Sequence, residues 1–184
     1  MKNKILVFIF FFLLIKPVNA KDNIMILKLK SGEVVIELFD KIAPNHVKRF
    51  KDLANEKKYD GVVFHRVIEG FMAQTGDVQF GNSSSDTYDI QRAGTGGSDY
   101  PDLKAEFSDL PHERGTLSMA RSSDPDSANS QFFICFKASP FLDRQYSVFG
   151  KVIKGMEFVD LIKRGEGSNG EVRNPDKIIS FSSK

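Results

Sequence analysis

Apolar and polar positions along the chain divide it into short alternating runs and two helical stretches. Residues 24–30 and 34–38 are apolar at alternate positions on either side of Ser31-Gly32, which predicts an antiparallel hairpin with a glycine-containing turn. Residues 40–44 supply a turn and a helix start, with Pro44 tolerated in the first helical turn. Val47, Phe50, Leu53 and Ala54 then recur at helical spacing, while Lys48, Lys51 and Asp52 fall on the opposite face. Glu56, Lys57 and Lys58 read as a solvated helix end. The β-branched run 62–68 predicts a strand, and apolar strand candidates return at 115–120, 131–136, 147–152 and 178–181. Phe158, Val159, Leu161 and Ile162 predict a second short helix over 156–164. Residues 76–114 have no period and are rich in Gly, Ser and Asp; so long a segment inside a compact domain is functional or wrapped on the surface. Many short strands and two short helices point to a β architecture capped by helices.

The first twenty residues stand apart from this pattern. Lys2 and Lys4 precede an unbroken apolar run of eleven residues, 5–15, which Lys16-Pro17 ends before Val18-Asn19-Ala20. That is the pattern of a secretory signal segment, and it is well short of the ~20 apolar residues that a spanning helix requires. The expected organisation is a signal peptide over 1–20 and one folded domain over 21–184, in a periplasmic or secreted protein with no stable membrane span. Loss of residues 1–20 removes Lys2, Lys4 and Lys16 and no acid, so the formal charge of +2 becomes −1. No basic surplus then remains to suggest nucleic acid.

Composition narrows the chemistry further. With 184 residues, 41% hydrophobic and 27% charged, the chain is an ordinary globular domain, and its one cysteine excludes a disulfide scaffold. Gly94-Thr95-Gly96-Gly97 lacks the Lys-Ser/Thr of a phosphate-binding loop. His46, His65 and His112 lack metal-ligand spacing, and Ser118 and Ser130 lie outside any nucleophile elbow. Cys135, inside an apolar run, reads as an inert buried thiol. Neither a cofactor nor a metal site is expected.

Two blocks decide the reading. One is Phe64-His65-Arg66-Val67-Ile68-Glu69-Gly70-Phe71-Met72-Ala73-Gln74-Thr75-Gly76-Asp77. The other runs from Gly115-Thr116-Leu117-Ser118-Met119-Ala120-Arg121 to Ser130-Gln131-Phe132-Phe133-Ile134-Cys135. With Phe141-Leu142-Asp143 and Val148-Phe149-Gly150-Lys151-Val152, these segments resemble the signatures of cyclophilins, in the family's order, over residues 24–181. The resemblance implies a closed eight-stranded antiparallel β-barrel capped by two helices, and peptidyl-prolyl cis–trans isomerase activity. It puts the catalytic arginine at Arg66 and the proline pocket at Phe71, Met72, Gln74, Gln131, Phe133 and Leu142. Ala120 and Arg121 match groove positions, and Gly94 matches a glycine beside a secondary pocket. Phe141 and Tyr146 wall the pocket where many eukaryotic members carry tryptophan and histidine, as in the bacterial branch. Without the indole N–H, cyclosporin binding should be weak. Residues 121–129 are one longer than the common animal pattern, which puts groove edges in question.

The implied partners are proline-containing polypeptides, met by a monomer. A different class of function, a catalytically weak chaperone or scaffold that holds such segments, uses the same groove.

Overall fold

The computed structural model describes residues 23–183; the signal-segment reading of residues 1–20 lies outside them. Eight antiparallel strands form one sheet: β1 (Ile24–Leu29), β2 (Gly32–Leu38), β3 (Arg66–Ile68), β4 (Met72–Thr75), β5 (Thr116–Met119), β6 (Phe132–Cys135), β7 (Val148–Lys154) and β8 (Ser180–Ser183). Their spatial order is β3-β4-β6-β5-β7-β2-β1-β8. The closed barrel implied by the resemblance is therefore not formed, and the sheet is an open half-barrel. The reason is local: its edge strands are only three and four residues long. Between them the chain makes isolated bridges, such as Val63 with Lys177, rather than a ladder.

Helix α1 (Pro44–Asn55) begins with the expected proline and buries Val47, Phe50, Leu53 and Ala54. Phe50 meets Tyr59, Phe132, Phe149 and Phe181 at ring-centroid distances of 5.1 to 5.4 Å, so one helix side chain plugs the aromatic centre of the core. Its first turn is capped from afar. Ala43 offers no side-chain cap, and Glu106 instead accepts the backbone N–H groups of Asn45 and His46.

Three expected elements are shorter or shifted. Helix α2 spans Met156–Val159 rather than 156–164. Beyond its first turn the bonds tighten to Leu161 N–H to Phe158 and Ile162 N–H to Val159, three residues apart, and Leu161 turns out to solvent at 68% exposure. In the run 62–68 only Arg66–Ile68 joins the sheet ladder. At the carboxyl end, Ile178 pairs with Val62 ahead of β8.

The aperiodic segment 76–114 is ordered by side-chain acceptors. Asp77, fully buried, accepts backbone N–H groups from Gln79, Phe80, Gly94 and Gly96. Such Asx and loop bonds need no periodicity. Among the described residues no helix is long and apolar enough to cross a membrane.

Candidate active site

Strand alternation sorts β3, β4 and β6 into two faces. Val67, Ala73, Ile134 and Leu117 stand abreast across the register and all belong to the main core. The intervening positions face outward. There the register sets Arg66 beside Gln74, Gln74 beside Phe133, and Phe133 beside Ser118. A second outer row joins Ile68, Met72 and Cys135.

Over these rows lies a second apolar cluster, separate from the core. Met72, Phe133, Cys135 and Leu142 are its buried members, with Ile68, Phe71, Ala120 and Tyr146 packed against them. Phe141 extends its rim: its ring is 5.4 Å from that of Phe71, and it is 63% exposed. Tyr146 stands edge-on to Phe133 at 5.9 Å, and the Arg121 guanidinium sits 4.5 Å above its ring. That guanidinium also donates to the Gln145 carbonyl, through Nε at 3.2 Å and Nη2 at 3.0 Å. Arg121 thus braces Tyr146 with its side chain, whereas the resemblance assigns it a role carried largely by its backbone.

The polar half of the face is one hydrogen-bond chain. Arg66 Nη1 donates to Gln74 Oε1 at 3.1 Å, Gln74 Nε2 to Gln131 Oε1 at 3.0 Å, and Gln131 Nε2 to the carbonyls of Gly94 and Gly96 at 2.9 and 2.8 Å. Arg66 Nε donates to the Asn169 carbonyl at 3.0 Å. Asn169 belongs to the turn 165–172, which clasps the outer edge of β3: Gly165 N–H bonds the Val67 carbonyl and Val67 N–H the Gly170 carbonyl. The edge strand is covered in this way, and the guanidinium is held from two sides. Of its five N–H donors, the other three have no acceptor among the described residues. Half-burial lowers the Arg66 pKa from the ordinary arginine value, with the Tyr146 phenol acting the other way.

Beside the apolar cluster is a cavity of about 520 Å³, lined by Gly94, Ala120, Arg121, Gln74 and Gln131 among others. Gly94 has φ +101°, and a Cβ there would lie 2.9 Å from the His65 ring, so glycine is required on both counts. His65 itself is buried with neither ring nitrogen bonded, and burial pushes its pKa down to about 4. Cys135 lies beside Met72 in the outer row with its thiol pushed up to about 12 by burial, in keeping with an inert group.

Residues 24–183 match the family model described as cyclophilin type peptidyl-prolyl cis-trans isomerase/CLD. The chain belongs to the cyclophilin family. A probable peptidyl-prolyl cis-trans isomerase of Brucella suis is 60% identical over 159 residues, covering 86% of this chain and 81% of the relative. Peptidyl-prolyl cis-trans isomerase A of Dickeya dadantii is 42% identical over 167 residues, covering 86% and 82%. Among solved structures, a Cryptosporidium parvum cyclophilin crystallised in the presence of the dipeptide Ala-Pro has a TM-score of 0.75 at 27% identity, over 88% of this chain and 98% of that one. A cyclophilin from Hirschia baltica has a TM-score of 0.72 at 28% identity, over 89% and 74%.

Every position carried over from the resemblance lies on this outer face or its rim. What the sequence reading missed in this cyclophilin is the support behind it: Asn169, whose carbonyl accepts from Arg66, and Asp143, whose carboxylate accepts the His112 backbone N–H just beyond Leu142. No motif marks Asn169, because its contribution is a backbone carbonyl. The Asp143 side chain could have been suspected from its place directly after Leu142.

Proposed function

We propose that the prolyl isomerase activity of this chain resides on the outer face of the half-barrel, with Arg66 as the catalytic group. Phe71, Met72, Phe133, Leu142 and Tyr146 would grip the proline ring, with Phe141 at the edge. Gln74 and Gln131, fixed in one chain of bonds, would hold the substrate carbonyl and backbone. The observation that carries this reading is the outer row Arg66–Gln74–Phe133, which joins a cation with spare donors to an apolar floor lying outside the core.

The chemistry matches those parts. Amide resonance sets a barrier of ~18–20 kcal/mol, and uncatalysed X–Pro rotation takes tens to hundreds of seconds. No bond breaks, so neither nucleophile nor general acid is called for. As the amide twists, its nitrogen pyramidalises and gains a lone pair. A guanidinium N–H can donate to that nitrogen only once resonance is lost, which is binding specific to the transition state. A 10⁵-fold acceleration corresponds to about 7 kcal/mol. One charge-assisted hydrogen bond supplies ~1.5–3 kcal/mol, and the remainder must come from Gln74 and Gln131 orienting the substrate carbonyl and backbone and from stripping water from the amide.

A protease-coupled prolyl assay on wild type and Arg66→Ala tests the assignment; equal rates would favour the holding function instead. We further propose that the chain acts on folding polypeptides after export, on the strength of the basic, apolar and small-residue pattern of residues 1–20. Amino-terminal sequencing of the mature protein tests this. A start at residue 21 supports export, and a start at Met1 refutes it.

A further inference from the structure

Behind the proline cradle lies a side chain that the reaction chemistry has not used. His112 is 1% exposed and belongs to neither apolar cluster. Its ring is stacked on that of Phe133, 6.2 Å between centroids and 17° between planes, and stands edge-on to Tyr146 at 6.5 Å. It therefore backs two walls of the cradle at once.

All of its polar atoms are engaged. Nδ1 lies 2.9 Å from Asp143 Oδ1, the same oxygen that accepts the His112 backbone N–H at 2.8 Å. Nε2 lies 3.0 Å from Ser118 Oγ, and the backbone carbonyl accepts the Ser139 N–H at 2.7 Å. An ionised carboxylate has no proton to give, so Nδ1–H donates to Asp143, while Nε2 is bonded to the serine hydroxyl. These bonds hold the Asp143 pKa below the usual carboxylate range.

Ser139 and Asp143 flank the single 3₁₀ turn Pro140–Leu142, which presents Phe141 and Leu142. So short a turn makes few bonds of its own, and its position is set from outside. His112 grips both of its ends. The neighbouring Arg144–Asp109 pair is solvent-exposed on both sides and contributes little. Serine, histidine and aspartate in this order suggest a nucleophilic triad, but Ser118 is fully buried and meets no substrate. The constellation is a clamp.

We infer that His112 is a positioning residue of the isomerase, setting the width of the proline cradle through Asp143 and through the faces of Phe133 and Tyr146. The inference rests on the proposed Arg66 site. The ring is gripped alike before and during rotation, so a displaced cradle wall costs uniform binding and raises KM at constant kcat. Loss of Arg66, by contrast, lowers kcat.

Exchange spectroscopy on a short X-Pro peptide resolves the two constants, with the melting temperature of each variant measured alongside. The Asp143 side chain is 32% exposed, so its truncation perturbs the fold little. Asp143→Ala should raise KM about tenfold, the equivalent of one charge-assisted bond, with kcat within about twofold. Asp143→Asn keeps an acceptor oxygen for both N–H groups and should return KM to within about threefold of wild type. His112→Phe keeps the stack and the backbone N–H bond to Asp143 but loses both ring bonds, so it should raise KM by less than Asp143→Ala does, with a less than additive loss when the two are combined. A wild-type KM in folded Asp143→Ala overturns the inference, as does a fall in kcat at constant KM, or failure of the asparagine to rescue. Unfolding of Asp143→Ala at 25 °C overturns it too, since the carboxylate would then serve the fold rather than the cradle. Full turnover by Arg66→Ala in the same assay would instead sink the site assignment.

Discussion

Replacing Arg66 by alanine removes the bond to the pyramidal imide nitrogen, worth ~1.5–3 kcal/mol, or roughly 10- to 150-fold in rate. It also takes the donor from Gln74 Oε1, leaving that side chain fixed only through its 3.0 Å bond to Gln131. A second loss of about 1 kcal/mol in substrate orientation follows. Together these predict a fall in kcat/KM between about 10² and 10³, carried by kcat, with little change in stability because Arg66 is only half-buried on an edge strand. Arg66→Lys keeps the charge but loses the planar fork that reaches Asn169, Gln74 and the substrate together, so about tenfold of activity should be lost. A protease-coupled assay at low temperature, where the uncatalysed background is slow, measures both variants. The guanidinium stays charged despite its lowered pKa, and its contribution should not vary between pH 6 and 8. An alanine variant within threefold of wild type would refute the reasoning.

Other outcomes follow from the surrounding structure. Burial raises the Glu106 pKa, but bonds from His46 and Asn45 outweigh it and hold the carboxyl below the usual range; Glu106→Ala should therefore lose the α1 cap and strand the buried His46 ring, at about 2–3 kcal/mol in urea unfolding. His65 falls from 6.5 to about 4 on folding, so the unfolded chain binds its proton first. Its contribution is complete above pH 6.5 and declines as pH drops towards 4, by about 3 kcal/mol; wild type minus His65→Gln across that range should show this slope, and parallel curves would contradict it. Phe141→Trp restores an indole N–H at the exposed rim and should tighten cyclosporin inhibition about two- to tenfold in titration.

How far the site could be read from the sequence differs from residue to residue. Helix α1 was legible because Val47, Phe50, Leu53 and Ala54 repeat with the helical period and all are buried. The run 131–136 was legible as a strand but not as a pocket floor, since Phe132, Phe133, Ile134 and Cys135 are uniformly apolar and all buried. Only the register sends Phe132 and Ile134 into the core and Phe133 and Cys135 outward. The resemblance, and not periodicity, singled out Phe133. Residues 76–114 offered no pattern because their order comes from Asp77 and Glu106, each a single carboxylate accepting several backbone N–H groups. The half-barrel was missed because closure depends on how β3 and β8 end, and strand ends carry the weakest signal.

An antiparallel sheet usually turns one face to the core and one to water, so apolar side chains on both faces of β4 and β6 need a cover for the second. Here the cover comes from irregular segments: Phe71 after a turn, Leu142 on a three-residue 3₁₀ turn, and Tyr146 under Arg121. Floor and wall are thus held by different forces. Met72 and Phe133 are fixed by ladders that also form the core, and truncating them risks the fold. The wall is held by polar clamps, which side-chain substitutions can release while Phe50 and its aromatic neighbours keep the sheet intact. Affinity for proline segments should accordingly vary through the 139–146 rim, while the rotation chemistry stays with Arg66 on its clasped edge strand.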